Sequence, residues 1–397
     1  MKTPSNAQLR LQSLDDQRLR LGPQTVHLDI TNACNTDCVT CWDHSPHLDT
    51  PQSITWKRQR ADPRRLREVV DDIESLGGLE AVIVSGMGEP FTHPDVYEIL
   101  GDLKRRGLHV TVITNLLAAD ADEIIALGVD TLLIGIHGAT ERAYLDFHPS
   151  WSPAHWQRLH TTLERLRDAG RRDKHVQVIC RTNAHQLLAM VEQAHRYRAH
   201  RLNFKLASLA GGTQAVAIDD RQRLTLLGND IDVARHRADE LGVVHNLDVF
   251  EAQVRAGGAL TAPIEDIGCF LGYHYSRITV DGTVLYCCNT EVVVGSLATG
   301  ERFSTLWTGP AWEDLRARLR AGRYFPGCVR CGKLNQNVKL SKRFRERFGE
   351  QRWQAATGTS LASSAPTTAA PDVSTGRPPS LHDVQQALAR RGLKVLP

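Results

Sequence analysis

The chain has 397 residues and a mass of 44.1 kDa, which allows one large domain with an appendage or two smaller domains. Its 48 Lys and Arg residues nearly balance 45 Asp and Glu residues, so a net charge of +3 excludes the basic bias of a typical nucleic-acid-binding protein. The opening residues lack a signal peptide, and no apolar run reaches the roughly 20 residues of a transmembrane helix. We therefore expect a cytoplasmic protein with no nucleic-acid or membrane partner, whose cysteines stay reduced.

Short apolar runs alternate with amphipathic helical patterns between residues 25 and 206. The predicted strands cover residues 25–30, 81–84, 110–113, 131–136, 176–180 and 202–206. The predicted helices cover 64–76, 95–106, 121–127, 155–169 and 184–199, with one more over 220–242. This alternation indicates an α/β fold with parallel strands and right-handed crossovers. Six units are too few for an eightfold barrel, so the sequence predicts a partial (β/α)6 barrel.

The remainder of the chain changes character after the predicted core over 25–243. Residues 261–340 combine short strand-like runs with clustered cysteines, which predicts a small C-terminal α+β domain. A basic helix is expected over 341–354, and a linker rich in Ala, Ser, Thr and Pro over 355–380. The outer predicted segments are an N-terminal extension over 1–24 and a short helix over 381–397.

Three cysteines, Cys34, Cys38 and Cys41, follow the first predicted strand with C-x3-C-x2-C spacing. A structural zinc site needs four ligands, which His44 and His47 could help to complete. A [4Fe–4S] cluster held by three thiolates instead leaves one iron open to a substrate or cosubstrate. A disulfide framework is disfavoured in a reducing compartment.

The C-x3-C-x2-C loop after the first strand of a partial barrel resembles the radical S-adenosylmethionine (SAM) superfamily. The resemblance implies that Cys34, Cys38 and Cys41 ligate a [4Fe–4S] cluster whose open iron binds SAM. One electron from this cluster would then cleave SAM to a 5′-deoxyadenosyl radical, which abstracts hydrogen from substrate. Thr40 departs from the aromatic residue that many members carry before the third cysteine.

The GMGEP segment at the end of the second predicted strand is similar to the GGEP motif of this family, with Met87 in place of a glycine. The resemblance implies that Gly88 and Glu89 meet the SAM amino group, since a carboxylate complements an ammonium. Asn115 and Asn183, at later strand ends, are placed to reach the SAM ribose or carboxylate. Turn-capping is the equally weighted alternative for both asparagines.

The second group of cysteines follows the pattern C-x12-G-x4-C and, later, C-x2-C, with Asp281 and Gly282 predicted to form a hairpin turn. This pattern resembles the twitch domain, a shortened form of the SPASM extension, which implies one auxiliary [4Fe–4S] cluster. A zinc ribbon is the alternative, and Cys288 is a second candidate beside its neighbour. The implied ligands are Cys269, Cys287, Cys328 and Cys331.

Together these resemblances imply an enzyme that oxidises or epimerises a polar natural-product intermediate (a sugar, cyclitol or amino acid), with the auxiliary cluster as electron acceptor. An external reductant such as flavodoxin or ferredoxin would be needed. Candidate bases are Arg181, His137 and Lys205. The alternatives are a maturase of a ribosomally made peptide and a non-catalytic zinc-binding module. Only 24 residues precede the first predicted strand, so we expect no leader-binding domain in this chain.

Overall fold

A computed structural model of the chain describes residues 4–258, 264–331 and 333–357. The linker predicted over 355–380 lies outside the described residues apart from its first three, which end a helix. The helix predicted over 381–397 lies wholly outside them. In the described part of the chain, no helix is both long enough and apolar enough to cross a membrane.

Nine strands form one sheet in the order β6-β5-β4-β3-β2-β1-β7-β8-β9. They are β1 (Thr25–Asp29), β2 (Ala81–Ser85), β3 (His109–Thr114), β4 (Thr131–Gly135), β5 (Lys174–Ile179), β6 (Arg201–Leu206), β7 (Tyr275–Ile278), β8 (Thr283–Leu285) and β9 (Val293–Ser296). Strands β1 to β6 pair in parallel. The two ends of the sheet are β6 and β9, so the barrel is open, and the predicted partial (β/α)6 architecture is confirmed.

The described residues form sixteen α-helices. In chain order they are α1 (Asn6–Asp16), α2 (Ile54–Lys57), α3 (Pro63–Ser75), α4 (Val96–Arg105), α5 (Ala121–Leu127), α6 (Glu141–Phe147), α7 (Pro153–Asp168), α8 (Leu187–Arg196), α9 (Asp220–Thr225), α10 (Ile231–Glu240), α11 (Leu247–Ala256), α12 (Ile264–Ile267), α13 (Phe303–Thr308), α14 (Pro310–Arg320), α15 (Leu334–Phe348) and α16 (Glu350–Thr357). Side-chain caps begin several of them: Asp62 accepts from two backbone N–H groups of α3, and Asp120 does the same for α5.

Helix α1 was not predicted, and it makes the N-terminal extension part of the fold. Ser5 and Gln8 form a capping box at its start. Leu14 packs in a cluster with Phe270 and Trp353, which come from the C-terminal part of the described chain. The sequence gives little local signal for this helix because its apolar positions are few.

Three other predicted helices differ in their boundaries. The helix predicted over 220–242 consists of α9 and α10 joined by a π-helical segment, Leu226–Asp230. The basic helix predicted over 341–354 begins earlier, as α15. It ends at Gly349, whose φ of 85° only glycine adopts readily, and α16 follows. The helix predicted over 184–199 opens with a 3-10 turn before α8.

The C-terminal segment continues the sheet of the barrel. Strand β7 pairs in parallel with β1, so that Arg277 lies beside His27 in the register. Strands β8 and β9 then extend the sheet in antiparallel fashion. The predicted hairpin turn is confirmed, since Gly282 has a φ of 84° between β7 and β8. This pairing fixes the second group of cysteines relative to the first.

A buried carboxylate clamps the C-terminal segment onto helix α3. Asp72 accepts hydrogen bonds from the guanidinium of Arg302 at 2.8 Å and from the backbone N–H and hydroxyl of Ser304, each at 2.8 Å. Its neighbour Asp71 is largely exposed and pairs with Arg106 at the surface. The clamp therefore depends on Asp72 and not on general negative charge along α3.

We expect Asp72→Ala to lower the free energy of unfolding by about 2 kcal/mol, because it leaves two neutral donors and one cation without their acceptor. Asp71→Ala is the matched control and should change it by less than about 0.5 kcal/mol. Urea unfolding followed by circular dichroism measures both. Equal losses in the two variants would contradict the clamp.

Candidate active site

The loop after β1 brings the first three cysteines together. The thiols of Cys34, Cys38 and Cys41 lie close enough to interact electrostatically, and none forms a disulfide. Burial raises the pKa of all three, that of Cys34 to about 12. The Sγ of Cys41 accepts from the backbone N–H groups of Asp43 and His44, at 3.5 and 3.3 Å. Three reduced, converging thiols with backbone donors fit a thiolate-ligated cluster.

Neighbouring elements hold this loop in place. The backbone N–H of Val39 donates to the carbonyl of Phe147 at the end of α6. The indole of Trp151 donates to the carbonyl of Asn35 at 2.9 Å, and Asp37 accepts from the backbone of Ser150 at 2.9 Å. The cysteine loop is thus braced by the segment that follows β4.

The glycines of GMGEP lie against the first residues of the cysteine loop. A Cβ added at Gly88 would come within 2.0 Å of the carbonyl oxygen of Ala33, and one added at Gly86 within 2.0 Å of that of Thr31. The backbone N–H of Glu89 donates to the same Ala33 oxygen at 2.8 Å. In this structure, therefore, the glycines allow the backbone after β2 to approach the cysteine loop.

Glu89 is buried and connects β2 to β3. Its carboxylate accepts from the hydroxyl of Thr114 at 2.7 Å, from the N–H of Asn115 at 2.7 Å and from the N–H of Phe91 at 3.1 Å. Burial raises the pKa of Glu89 to about 7, against these three hydrogen bonds, which lower it. The predicted contact of Glu89 and Gly88 with the SAM amino group stays a prediction.

The two predicted asparagines occupy different surroundings. The side-chain amide of Asn115 donates to Asn35 in the cysteine loop at 2.7 Å, so Asn115 lies beside the first site. Asn183 is fully buried, and its amide donates to the carbonyls of His137 and Val178. Its Oδ1 accepts from the N–H of Cys180 at 2.9 Å. These contacts are those of a turn cap, and the predicted contacts of both asparagines with SAM stay predictions.

The second group of cysteines converges at the end of the hairpin. The Cys269 thiol interacts electrostatically with Cys328 and Cys331, and the Cys287 thiol with Cys269. Burial raises the pKa of Cys269, Cys328 and Cys331. Cys288 lies in the same group and interacts with Cys287, Cys328 and Cys331. Five thiols thus lie in one region where the pattern predicts four ligands, and ligation by the predicted four stays a prediction.

The inner face of the parallel sheet, the side away from the helices, is called the lumen. Along β3 to β6, every second residue is buried, and the residues between them are half-buried or exposed. The buried set packs against the outer helices, so the accessible set faces the lumen. Ile113, for example, is 39% exposed. A complete eightfold barrel is filled by side chains, and the sheet of the described residues is not closed into one.

A largely buried hydrogen-bonded network joins β1, β2 and β7 and was missed in the sequence. The hydroxyl of Tyr275 bonds the Nδ1 of His27 at 2.9 Å, and His27 Nε2 bonds Ser85. Ser85 donates to Asp29 at 3.2 Å, and Arg277 donates to Asp29 at 2.8 Å. The alternating polar residues of β1 were the available signal, since fully buried parallel strands would be apolar on both faces.

The three candidate bases differ in their access to the lumen. Arg181 donates to the carbonyl of Ala217 at 3.1 Å, at an exposed position. The Nδ1 of His137 accepts from the N–H of Val178, and burial lowers the pKa of this imidazole. Lys205 lies on β6 among the accessible residues that face the lumen.

Within the described residues, no three His, Cys, Asp or Glu side chains are placed to hold a single metal ion. The two cysteine groups are therefore assigned by their thiol chemistry and their pattern, and not by the tight geometry of a mononuclear site.

We predict that Gly88→Ala lowers the bound iron by about half, because the added methyl collides with Ala33 and displaces the first cysteine loop while leaving the second group intact. Gly228→Ala is the control, since a Cβ there meets open space. Iron quantitation after anaerobic reconstitution measures both. Full iron content in Gly88→Ala would show that the contact is not needed.

Glu89 should make stability depend on pH. The native pKa of Glu89, about 7, exceeds the usual value, so the native state binds the proton more tightly than the unfolded state does. The free energy of unfolding should therefore fall as the pH rises from about 5 to 8. Between these two pH values, the free energy of unfolding should fall by about 2 kcal/mol more in wild type than in Glu89→Gln. Urea unfolding at both pH values measures it, with exposed Glu68→Gln as control. Parallel pH profiles for wild type and Glu89→Gln would contradict this role.

Comparison with known proteins identifies the two halves of the site. The radical SAM superfamily matches residues 28–212, and the SPASM iron–sulfur cluster-binding domain matches residues 269–332. The AdoMet-dependent heme synthase of Methanosarcina barkeri is 28% identical over 150 residues, 37% of this chain and 40% of that protein. The PqqA peptide cyclase of Ruegeria pomeroyi is 26% identical over 121 residues, 30% of each protein. The chain thus matches less than half the length of these curated relatives.

Solved structures share the fold at low sequence identity. SuiB of Streptococcus suis bound to S-adenosylmethionine has a TM-score of 0.57 at 13% identity, over 83% of this chain and 74% of that one. The enzyme anSMEcpe with AdoMet and the Cp18Cys peptide has a TM-score of 0.55 at 13% identity, over 85% and 99%. The cofactors of this chain are accordingly SAM, a SAM-binding [4Fe–4S] cluster and auxiliary iron–sulfur centres. The chain belongs to the radical SAM superfamily and carries a C-terminal SPASM domain.

Proposed function

We propose that this radical SAM enzyme oxidises or epimerises a polar natural-product intermediate, such as a sugar, cyclitol or amino acid. The auxiliary [4Fe–4S] cluster is the proposed electron acceptor, and flavodoxin or ferredoxin the proposed reductant. When bound and reduced, the first cluster supplies the electron that converts SAM into a 5′-deoxyadenosyl radical. The observation that supports the proposal is the accessible inner face of the parallel strands, which carries polar side chains such as Thr111 on β3 and Asn203 on β6.

Two groups of cysteines are proposed to bind the two iron–sulfur clusters. Cys34, Cys38 and Cys41 are proposed to hold the first cluster, with GMGEP and Asn115 fixing their loop. The second cluster is proposed to be held by Cys269, Cys287, Cys328 and Cys331.

The hydrogen-bonded network on β1, β2 and β7 is a proposed path for the proton that an alcohol loses on oxidation. Burial lowers the pKa of His27 well below its usual value, so the neutral imidazole can pass a proton on but does not hold it. Burial raises the pKa of Asp29, which makes its carboxylate the group that takes up the proton at the end of the chain. The Nδ1 of His27 bonds Tyr275 and its Nε2 bonds Ser85, which continues to Asp29. We propose this chain of hydrogen bonds as the proton acceptor, in place of Arg181 and His137.

A peptide maturase is the second candidate. The PqqA peptide cyclase is among the relatives, and SuiB and anSMEcpe have both been solved with peptides. Under this alternative the lumen residues keep the same roles, and only the substrate class changes.

The test is turnover of a panel of amino acids, aminocyclitols, sugar phosphates and short peptides by the reduced, reconstituted enzyme. We expect 5′-deoxyadenosine together with a small-molecule product lighter by two hydrogens, or with deuterium gained from D2O if the reaction is an epimerisation. Cys328→Ala should still form 5′-deoxyadenosine but lose the oxidised product. Modification of peptides alone would favour the maturase, and an oxidised product from Cys328→Ala would contradict the acceptor role.

A further inference from the structure

A cavity of about 480 Å³ lies between α7 and α8, beside the loop that follows β4. Two small residues, Ala139 and Ala189, line it together with larger side chains of both helices. Its volume falls within the range of about 300 to 1,000 Å³ that is usual for small-molecule sites. None of the residues that line it is a cysteine, so the cavity is distinct from both cysteine groups.

Aromatic rings form much of the cavity wall. Trp156 and His160 lie one turn apart on α7, with ring centres 4.0 Å apart and an angle of 74° between the ring planes. The ring of Tyr197, just after α8, is 5.5 Å from that of His160, and its hydroxyl bonds the Nδ1 of that imidazole. The imidazole thus contacts both larger rings, which gives the cavity a wall against which a flat ligand can stack.

The charged side chains that line the cavity have partners of their own. Glu192 pairs with Arg237 at 2.6 Å, and Arg196 pairs with Glu164 at 3.0 Å. Burial, together with the charge of Arg196, lowers the pKa of His160, so its imidazole is uncharged at neutral pH. These pairings favour an uncharged ligand over an ion.

Two polar atoms of the lining residues have no hydrogen-bond partner among the described residues. Gln193 is only 6% exposed, and its Nε2 donates to the carbonyl of Gly138 at 3.4 Å, while its Oε1 is one of the two unpartnered atoms. The Nε2 of His160 is the other. A buried polar atom without a partner is costly, and a ligand that bonds it removes that cost. Because Oε1 is shielded from water, a ligand reaches it through a turn about the last torsion of the glutamine, which is soft.

We propose that this cavity binds a neutral purine base, which stacks on Trp156 and donates an amino hydrogen to the Oε1 of Gln193. A purine combines a flat aromatic face, no charge, and an edge that carries both a donor and an acceptor. Its acceptor nitrogen can bond the Nε2–H of His160 in the tautomer in which Tyr197 donates to Nδ1. The inference goes beyond the proposed function, because the cavity lies between two helices and not on the inner face of the sheet.

Adenosine binding to the reconstituted full chain is the test, measured by calorimetry without reductant. Saturating SAM is present throughout, so that the SAM site is occupied. We expect saturable binding of one adenosine per chain. Adenosine methylated twice on its amino group has lost the N–H donor, and it should bind about fivefold more weakly.

Four variants locate the site, each checked for its fold by circular dichroism. Trp156→Leu should weaken adenosine binding at least about tenfold, because the stacking surface is lost. Gln193→Leu should weaken it about fivefold and should bind both forms of adenosine equally, because the acceptor is gone. Ala189→Leu fills the cavity without removing a polar group, and it should abolish binding. Gln157→Leu, at an exposed position of α7, is the matched control and should bind as wild type does.

Three results would overturn the inference. They are the absence of saturable adenosine binding to wild type, equal affinity of wild type for the two forms of adenosine, and wild-type affinity in Ala189→Leu. If Trp156→Leu does not fold, the comparison of the two adenosines in wild type and Gln193→Leu still decides the matter. No turnover is measured, so the outcome is independent of the proposed oxidation.

Discussion

The candidate site depends on the close contact between the turn after β2 and the start of the cysteine loop. Gly86 and Gly88 allow the two backbones to meet at a distance that no side chain permits. Glu89 accepts a hydrogen bond from Thr114 at the end of β3, and the neighbouring Asn115 donates one to Asn35 in the cysteine loop. The three thiols are thus positioned by backbone contacts between successive strand ends, which is how open α/β sheets build their ligand sites.

A second constraint is the parallel pairing of β7 with β1. It joins the SPASM segment to the barrel as one sheet, so the two cysteine groups keep a fixed relation across the lumen. The same pairing places Tyr275 and Arg277 beside His27 and Asp29. A buried polar network therefore spans the junction between the barrel and the C-terminal segment.

Much of this arrangement could be predicted from local patterns. Apolar runs in alternation with amphipathic helices specify β1 to β6, and the cysteine spacings indicate the two cluster sites, because both signals lie within short stretches of sequence. The hydrogen-bonded network on β1, β2 and β7 could not be predicted with confidence from the sequence, since His27 and Tyr275 meet only through the β1–β7 pairing. Helix α1 was missed because Leu14 gains its partners, Phe270 and Trp353, from the distant C-terminal part. Whether Asn183 binds a ligand or caps a turn likewise depends on tertiary neighbours.

The most direct test of the account is anaerobic quantitation of iron and sulfide in wild type and in a Cys34/Cys38/Cys41→Ala variant, with EPR spectra of the reduced samples with and without SAM. The account predicts about eight irons in wild type, about four in the variant, and a signal that SAM shifts only in wild type. About four irons in wild type and none in the variant would contradict it, because the second group of cysteines would then hold no cluster and the proposed oxidation would lose its electron acceptor.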